Sequence, residues 1–270
     1  MVCAINYADE RYRKTQKFNS KMAKKHGADK VIEYTEHDLS EEFKEKNKEI
    51  FRYSRGGGYW IWKPWIIKHT LKELEDEDYL VYTDAGSAFV RPIQLLIDVM
   101  KEQKTDIMAF CNDQLEIKYS KRDALILMDC DKNDILYSSQ ICGGYIIVKK
   151  TRWTEKIIDE FLCYAEDRRI VTDEENVMGM KNYPEFIENR HDQTVWSLLC
   201  KKNGIKPFRD PSEWGLNKTL FSDEVNERSP YPQVIESHRN PELNSIFQLQ
   251  FVRKKWWYKI IRVPIGLIKK

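Results

Sequence analysis

The sequence predicts an α/β domain on an open, mostly parallel sheet, and three observations carry that expectation. Apolar runs at 2–5, 30–34, 79–83, 107–110 and 145–148 have the length of buried strands. The longer segments between them space their apolar residues as helices do. The chain opens strand, helix, strand, helix, which is the alternation that produces parallel sheets. With 270 residues, 41% hydrophobic and 33% charged, there is material for one large core under a well-solvated surface, and disorder is disfavoured.

The elements follow in order. Helix 9–26 carries Phe18 and Met22 four residues apart on one face, and Gly27 stops it. Asp38 or Ser40 can cap a further helix running into 43–49. Gly56, Gly57 and Gly58 make a loop where backbone can approach a ligand closely. Pro64 suits the first turn of a helix reaching Leu74, with Ile66, Ile67, Thr70, Leu71 and Leu74 along one stripe. Helices are also expected at 93–102, 151–165 and 192–202. No repeat, low-complexity tract or convincing linker interrupts the chain.

Composition narrows the function. A net charge of +2 argues against a dedicated nucleic-acid binder. The cysteines Cys3, Cys111, Cys130, Cys142, Cys163 and Cys200 form no CxxC pair and have no histidine at zinc-ligand spacing. Scattered in this way they suit buried thiols in a reducing compartment. Residues 1–7 lack a basic stretch followed by a long apolar run, and nothing approaches the roughly 20 apolar residues of a membrane span. A cytoplasmic location is the expectation. Eight Trp and fourteen Tyr can cover sugar faces with flat amphipathic rings, or simply fill the core.

The strand at 79–83 ends in Asp84-Ala85-Gly86. Open α/β sheets place ligand sites at such carboxyl ends. A carboxylate there can hold Mg²⁺ or Mn²⁺ and share it with substrate phosphates; it can equally be the first residue of a turn. Company sharpens the choice. Gly58-Tyr59-Trp60-Ile61-Trp62-Lys63-Pro64, one helix before Tyr82-Thr83-Asp84-Ala85-Gly86, resembles bacterial and viral capsule or lipopolysaccharide transferases of the GT-A glycosyltransferase class. The likeness extends distantly to glycosyltransferase family 8. It spans roughly residues 1–240, and 59–86 is its most specific part. Gly86 stands where the second acid of the family's Asp-x-Asp motif would lie, so a metal requires a further ligand.

The resemblance implies a GT-A-like mixed, mostly parallel sheet flanked by helices, in a domain covering 1–250. It also implies transfer from a nucleoside-diphosphate sugar to a hydroxyl of a glycan or lipid-linked acceptor, with Mn²⁺ or Mg²⁺ as cofactor. Asp84, Ala85 and Gly86 would face donor and metal. His238 would be the second metal ligand and Arg239 would fork onto phosphate oxygens; the alternative for both is a surface turn before Asn240-Pro241. Asp192 and Gln193, opening the last long helix, would flank the reacting carbon, with His191 behind them; Asp192 could instead be only an N-cap. Gly143 and Gly144 would let backbone approach the donor sugar, or form a hairpin turn. Asn6 and Tyr7 end the first strand where the base would bind, with Tyr7 stacking. Lys63, ahead of Arg55, would neutralise the phosphates.

Rival classes fare less well. A sugar nucleotidyltransferase wants a glycine-rich basic loop after its first strand, where this chain has Asn6-Tyr7-Ala8-Asp9-Glu10-Arg11. A P-loop enzyme needs GxxxxGK[ST], which is absent. No GxSxG or paired Cys/His motif supports a hydrolase. A catalytically silent glycan-binding module remains the non-enzymatic alternative.

The tail, 251–270, is basic and aromatic. Arg253, Lys254, Lys255, Lys259, Arg262, Lys269 and Lys270 interleave with Trp256, Trp257, Tyr258 and aliphatic residues, without an acid among them. Each cation adds on the order of 1 kcal/mol near an anionic membrane surface, and Trp and Tyr favour the headgroup layer. A helix packed on the sheet with solvated lysines is the competing reading. Peripheral attachment to the inner membrane face is therefore expected. Truncation after Phe251 should release the protein from anionic vesicles in a low-salt sedimentation assay; equal pelleting of both forms would refute attachment through the tail.

Overall fold

The computed structural model describes residues 1–252; the basic stretch 253–270 lies outside the described residues. Six strands form one sheet: β1 (Val2–Tyr7), β2 (Lys30–Tyr34), β3 (Tyr79–Thr83), β5 (Ile107–Leu115), β6 (Ser139–Lys149) and β7 (Phe208–Arg209), in the order β2-β1-β3-β6-β5-β7. All run parallel except β6, which is antiparallel to both β3 and β5. The sheet is mixed and mostly parallel, as expected. Between β1 and β3 the order turns back on itself, and in open α/β sheets that switch point opens a crevice at the carboxyl ends.

Alternation along the strands explains why both faces are covered. Cys3, Ile5, Leu80, Tyr82, Ile146 and Val148 face one helical layer: α2 (Trp62–Glu73), α4 (Arg152–Ala165) and α5 (Asp192–Lys202). Ala4, Val81, Tyr145 and Ile147 face the other, formed by α1 (Arg13–Lys25) and α3 (Gln94–Glu102). A strand buried on both sides reads as a continuous apolar run, which is why the strand segments stand out in the sequence. Helix ends follow local chemistry. Ser40 accepts from the Phe43 amide and Thr151 closes a capping box with Thr154. The segment expected as one helix at 9–26 begins instead as a 3₁₀ turn, Glu10–Tyr12, capped by Asp9. No described helix is long and apolar enough to cross a membrane. All six cysteines are free, and Cys163 is exposed rather than buried.

A second, two-stranded sheet pairs β4 (Ala88–Phe89) with β8 (Ile235–Glu236). It returns the C-terminal segment to the Asp84 end of the main sheet. Buried Arg209 locks that segment by donating to the carbonyls of Gly215, Ser229 and Tyr231 at 2.6, 3.0 and 2.8 Å.

The glycine triplet does something other than admit a ligand. Gly56, Gly57, Gly58, Tyr59 and Trp60 all have positive φ, between 54° and 87°. The chain makes a left-handed turn in which Trp60 N–H donates to Gly56 O. A Cβ on Gly56 would lie 2.3 Å from the Trp60 ring, and one on Gly58 2.8 Å from the Phe51 ring. These glycines let aromatic rings close over the chain. Tyr59 and Trp60 bear a left-handed cost of about 1–2 kcal/mol each, offset by packing that ends directly at α2. Gly58→Ala should therefore lower stability by about 2 kcal/mol in urea melts; an unchanged midpoint would show that the turn tolerates a side chain.

Candidate active site

The carboxyl ends of β1, β3 and the middle of β6 meet at one place. Asp84 follows β3, its amide donates to Gly144 O at 2.9 Å, and its carboxylate is half exposed toward solvent. The Tyr82 hydroxyl donates to Asp84 Oδ1 at 2.6 Å. Beneath it lies Lys63, on the first turn of α2 and almost wholly buried. Its ammonium sits 2.5 Å from Asp192 Oδ2 and 3.7 Å from Asp84 Oδ1, and donates to Gly143 O at 2.9 Å. The Tyr82 ring centroid is 5.2 Å away, within cation–π range. One ammonium thus holds two acids, a backbone carbonyl and a ring.

The electrostatics follow from burial. Burial opposes charge on Lys63, but Asp192 and Asp84 outweigh it and hold its pKa above the ordinary lysine value. Burial also lifts Asp192, against the pull of Lys63 and with help from Asp84, to about 6. Such displaced carboxyls cluster at functional sites.

Several sequence expectations change here. Asp192 is not the N-cap: His191 holds that position without a capping side-chain bond, and Asp192 turns inward to Lys63. His191 has φ 54° and ψ −118°, donates from Nδ1 to Val171 O at 2.8 Å, and packs on the rings of Tyr59 and Trp60. Lys63 is buried, so it reaches the cleft through the carboxylates rather than by presenting its charge to solvent. Arg55 pairs with Asp173 and Glu188. Gly143 and Gly144 lie inside β6 and make no hairpin turn. Their missing side chains are explained by crowding: a Cβ on Gly143 would lie 3.1 Å from Gln193, and one on Gly144 3.1 Å from Asp84 Oδ2.

Asn6 faces α1 rather than the cleft. Its amide donates to Asn19 and Ser20, and Asn19 in turn donates to Thr83 Oγ1 and to the carbonyls of Asp84 and Ser87. Asn6 therefore steadies the Asp84 turn from behind. Asn19 was the missed residue; a polar side chain beside Phe18 on the buried stripe of α1 was its signal. Tyr7 does stack, but on Trp62, with centroids 3.8 Å apart and planes at 15°. Gln193 spends both ends of its amide on protein: Oε1 accepts from Gly143 N–H at 3.1 Å, and Nε2 donates to Gln140 Oε1 at 2.9 Å.

His238 and Arg239 do arrive at the Asp84 turn. Arg239, at φ 47°, donates its amide to Gly86 O at 2.8 Å, and a Cβ on Gly86 would lie 3.2 Å from Arg239 Cα. That close approach explains Gly86, because an acid at this position would displace the returning strand. Burial lowers the His238 pKa to about 4, so its imidazole is neutral. Its Nδ1 accepts from the Asn240 amide, while Nε2 is buried beside the Ser87 backbone without a hydrogen bond of normal geometry. Among the described residues, no group of three or more His, Cys, Asp or Glu could hold a metal ion. With Nδ1 accepting, the neutral ring carries its proton on Nε2, so His238 offers a lone pair to a cation only by giving up the Asn240 amide, whereas the half-exposed Asp84 carboxylate is an oxygen ligand as it stands.

Fold and site together define an α/β domain that sets a half-exposed Asp84 over a buried Lys63–Asp192 pair at the switch point of its sheet. No protein-family model matches the chain, and none of the curated proteins does. Solved structures resemble it in chain path. Apo mouse xyloside xylosyltransferase 1 is 9% identical, covering 87% of this chain and 96% of its own, with a TM-score of 0.45. A glycosyltransferase involved in glycosylation of the major capsid of PBCV-1 is 13% identical, with coverages of 87% and 92% and a TM-score of 0.44. The galactosyltransferase LgtC, solved with donor and acceptor sugar analogues, is 12% identical, with coverages of 88% and 87% and a TM-score of 0.49. At these scores the likeness transfers no residue role.

The buried pair has a pH signature. A raised Asp192 pKa means that the protonated acid favours the fold, a contribution complete below about pH 4 and lost as pH rises through about 6. Lys63→Met strands Asp192, and breaking such a pair costs about 3–5 kcal/mol. Because Lys63 lowers the Asp192 pKa, its loss raises that pKa further, and the deficit should shrink as pH falls from 7 to 4. Denaturant melts across that range test this; a deficit independent of pH would remove Asp192 as Lys63's partner.

Proposed function

We propose that this protein is a glycosyltransferase that moves a sugar from a nucleoside diphosphate to a hydroxyl of a glycan or lipid-linked acceptor in surface polysaccharide synthesis. The observation that carries the reading is the buried Lys63 ammonium joining Asp192 to the half-exposed Asp84 at the carboxyl ends of β1 and β3. A fixed ion pair under an open carboxylate supplies preorganised charge where a polar ligand binds, commonly the largest catalytic term. Motif order along the chain agrees with it.

In the reaction the bond between the anomeric carbon and the diphosphate oxygen breaks, and a bond to the acceptor oxygen forms. The acceptor proton leaves with a base or with the diphosphate. Arg239, exposed beside Gly86, is placed to fork onto phosphate oxygens as negative charge grows there. Asp84 orients sugar hydroxyls or cation, while Tyr82 and Lys63 keep its carboxylate in one position. Asp192, at about 6, is ionised at neutral pH and packs closely against Gly143, where a side chain would not fit. Tyr7, braced on Trp62, offers an aromatic edge at the end of β1 for the base. Asp84, joined by His238 once its ring releases the Asn240 amide, would hold Mg²⁺ or Mn²⁺, which when bound would neutralise the diphosphate. The tail composition supports attachment of this domain to an anionic inner-membrane surface.

A panel of UDP-, GDP-, CDP- and dTDP-sugars, each with and without Mn²⁺, tests the reading by thermal shift and by release of nucleoside diphosphate. At least one donor should raise Tm and be slowly hydrolysed. Asp84→Asn should cut that hydrolysis by about 10²-fold or more with the melting transition kept, and His238→Ala should weaken Mn²⁺ binding read by electron paramagnetic resonance. Tm shifts without hydrolysis would indicate a glycan- or nucleotide-binding module. No shift with any donor contradicts the assignment.

A further inference from the structure

Glu116 is fully buried just past the end of β5, and its carboxylate collects donors from three elements. Lys201 of α5 reaches Oε1 at 2.6 Å, the Ser197 hydroxyl donates to Oε1 and the Ser120 hydroxyl to Oε2, and Gln140 Nε2 donates to Oε2 at 3.0 Å. Gln140 Nε2 also faces Ser120 Oγ at 3.1 Å and Tyr119 O at 3.2 Å. A carboxylate only accepts. Gln140 must therefore turn its NH₂ toward Glu116, which leaves Oε1 pointing the other way. Gln193 Nε2 donates to that oxygen at 2.9 Å and to Gln114 Oε1 at 3.3 Å, so Gln193 Oε1 faces Gly143 N–H at 3.1 Å. The same residue's carbonyl takes Lys63. Backbone pairing does not supply these partners, because the β5–β6 register shifts between Ala109, Cys111 and Leu115. Ile141 N–H likewise takes Ser197 Oγ, at 2.7 Å.

We infer that Glu116, which touches no cleft residue directly, is a positioning residue: its acceptor-only carboxylate sets the direction of a two-amide relay that fixes Gly143 and, through it, Lys63. The catalytic consequence rests on the transferase reading; the relay itself does not. Without the carboxylate the Tyr119 carbonyl, at 3.2 Å, is the one acceptor-only group left on Gln140, so the two amides are held less firmly and Gly143 N–H loses a constant acceptor. The exchange Glu116→Gln with Gln140→Glu returns an acceptor-only group opposite Gln193 and restores the direction.

Cys142-Gly143 is the sole Cys-Gly step in the sequence, so carbonyl-¹³C cysteine with ¹⁵N glycine isolates the Gly143 amide in the full-length protein. Glu116→Gln should speed its hydrogen exchange at least tenfold beyond what the change in Tm accounts for. It should also lower kcat for donor hydrolysis about tenfold with little change in KM, and the exchange variant should recover both. If Glu116→Gln does not fold, Gln140→Met breaks the relay without disturbing the Glu116–Lys201 pair and should show the same two effects. Gly143 exchange that merely follows global stability, or no recovery in the exchange variant, overturns the relay. A wild-type protein that hydrolyses no nucleotide sugar counts against the transferase reading alone, since Gly143 exchange still decides the relay.

Discussion

The constraint on which the site depends is the cost of burying the Lys63 ammonium. Taken out of water it would lose several kcal/mol or shed its proton. It remains charged because Asp192, Asp84, the Gly143 carbonyl and the Tyr82 ring surround it. The partners come from three parts of the chain: α5, β6, and β3 with the turn directly after it. The charge can be satisfied only when all are in place, so the requirement that stabilises the ion also assembles the crevice.

The surrounding features read as consequences. α2 must begin where it does to deliver Lys63, and the left-handed turn through Gly56–Tyr59–Trp60 brings the chain there. α5 must begin with its first acid turned inward, and His191 takes an unusual backbone conformation so that Asp192 can do so. The two strained stretches pack on each other through the rings of Tyr59, Trp60 and His191. Gly143, Gly144 and Gly86 are needed because acids and backbone approach each within about 3 Å of where a Cβ would be.

Much of the fold was legible because buried strands advertise themselves. The run Tyr79–Thr83 is a strand with the expected bounds, and Pro64 does lie in the first turn of its helix. The convergence of Asp84, Gly143, Asp192 and His238-Arg239 was legible from motif order. What the sequence concealed was direction. A lysine between Trp62 and Pro64 looks like a surface residue, and its burial depends on acids 21 and 129 positions away. Asp192 has the composition of a cap, yet its partner is Lys63 on α2, in the same helical layer. Asn6 ends a strand at the cleft but points backward, because side chains alternate and its neighbour Tyr7 takes the other face. Glu116 gave no signal at all: an acid after Leu115 carries no mark of being fully buried.

The central claim is that the crevice above Lys63, between the ends of β1 and β3, is where the nucleotide sugar binds. A crystal structure with the nucleoside diphosphate of the best donor addresses it directly. Density over Tyr7 and Asp84 with phosphate oxygens at Arg239 is the expected result. Density instead in the 470 Å³ cavity walled by Ile141, Lys201, Ile205 and Leu220, with the Asp84 crevice empty, would contradict the account.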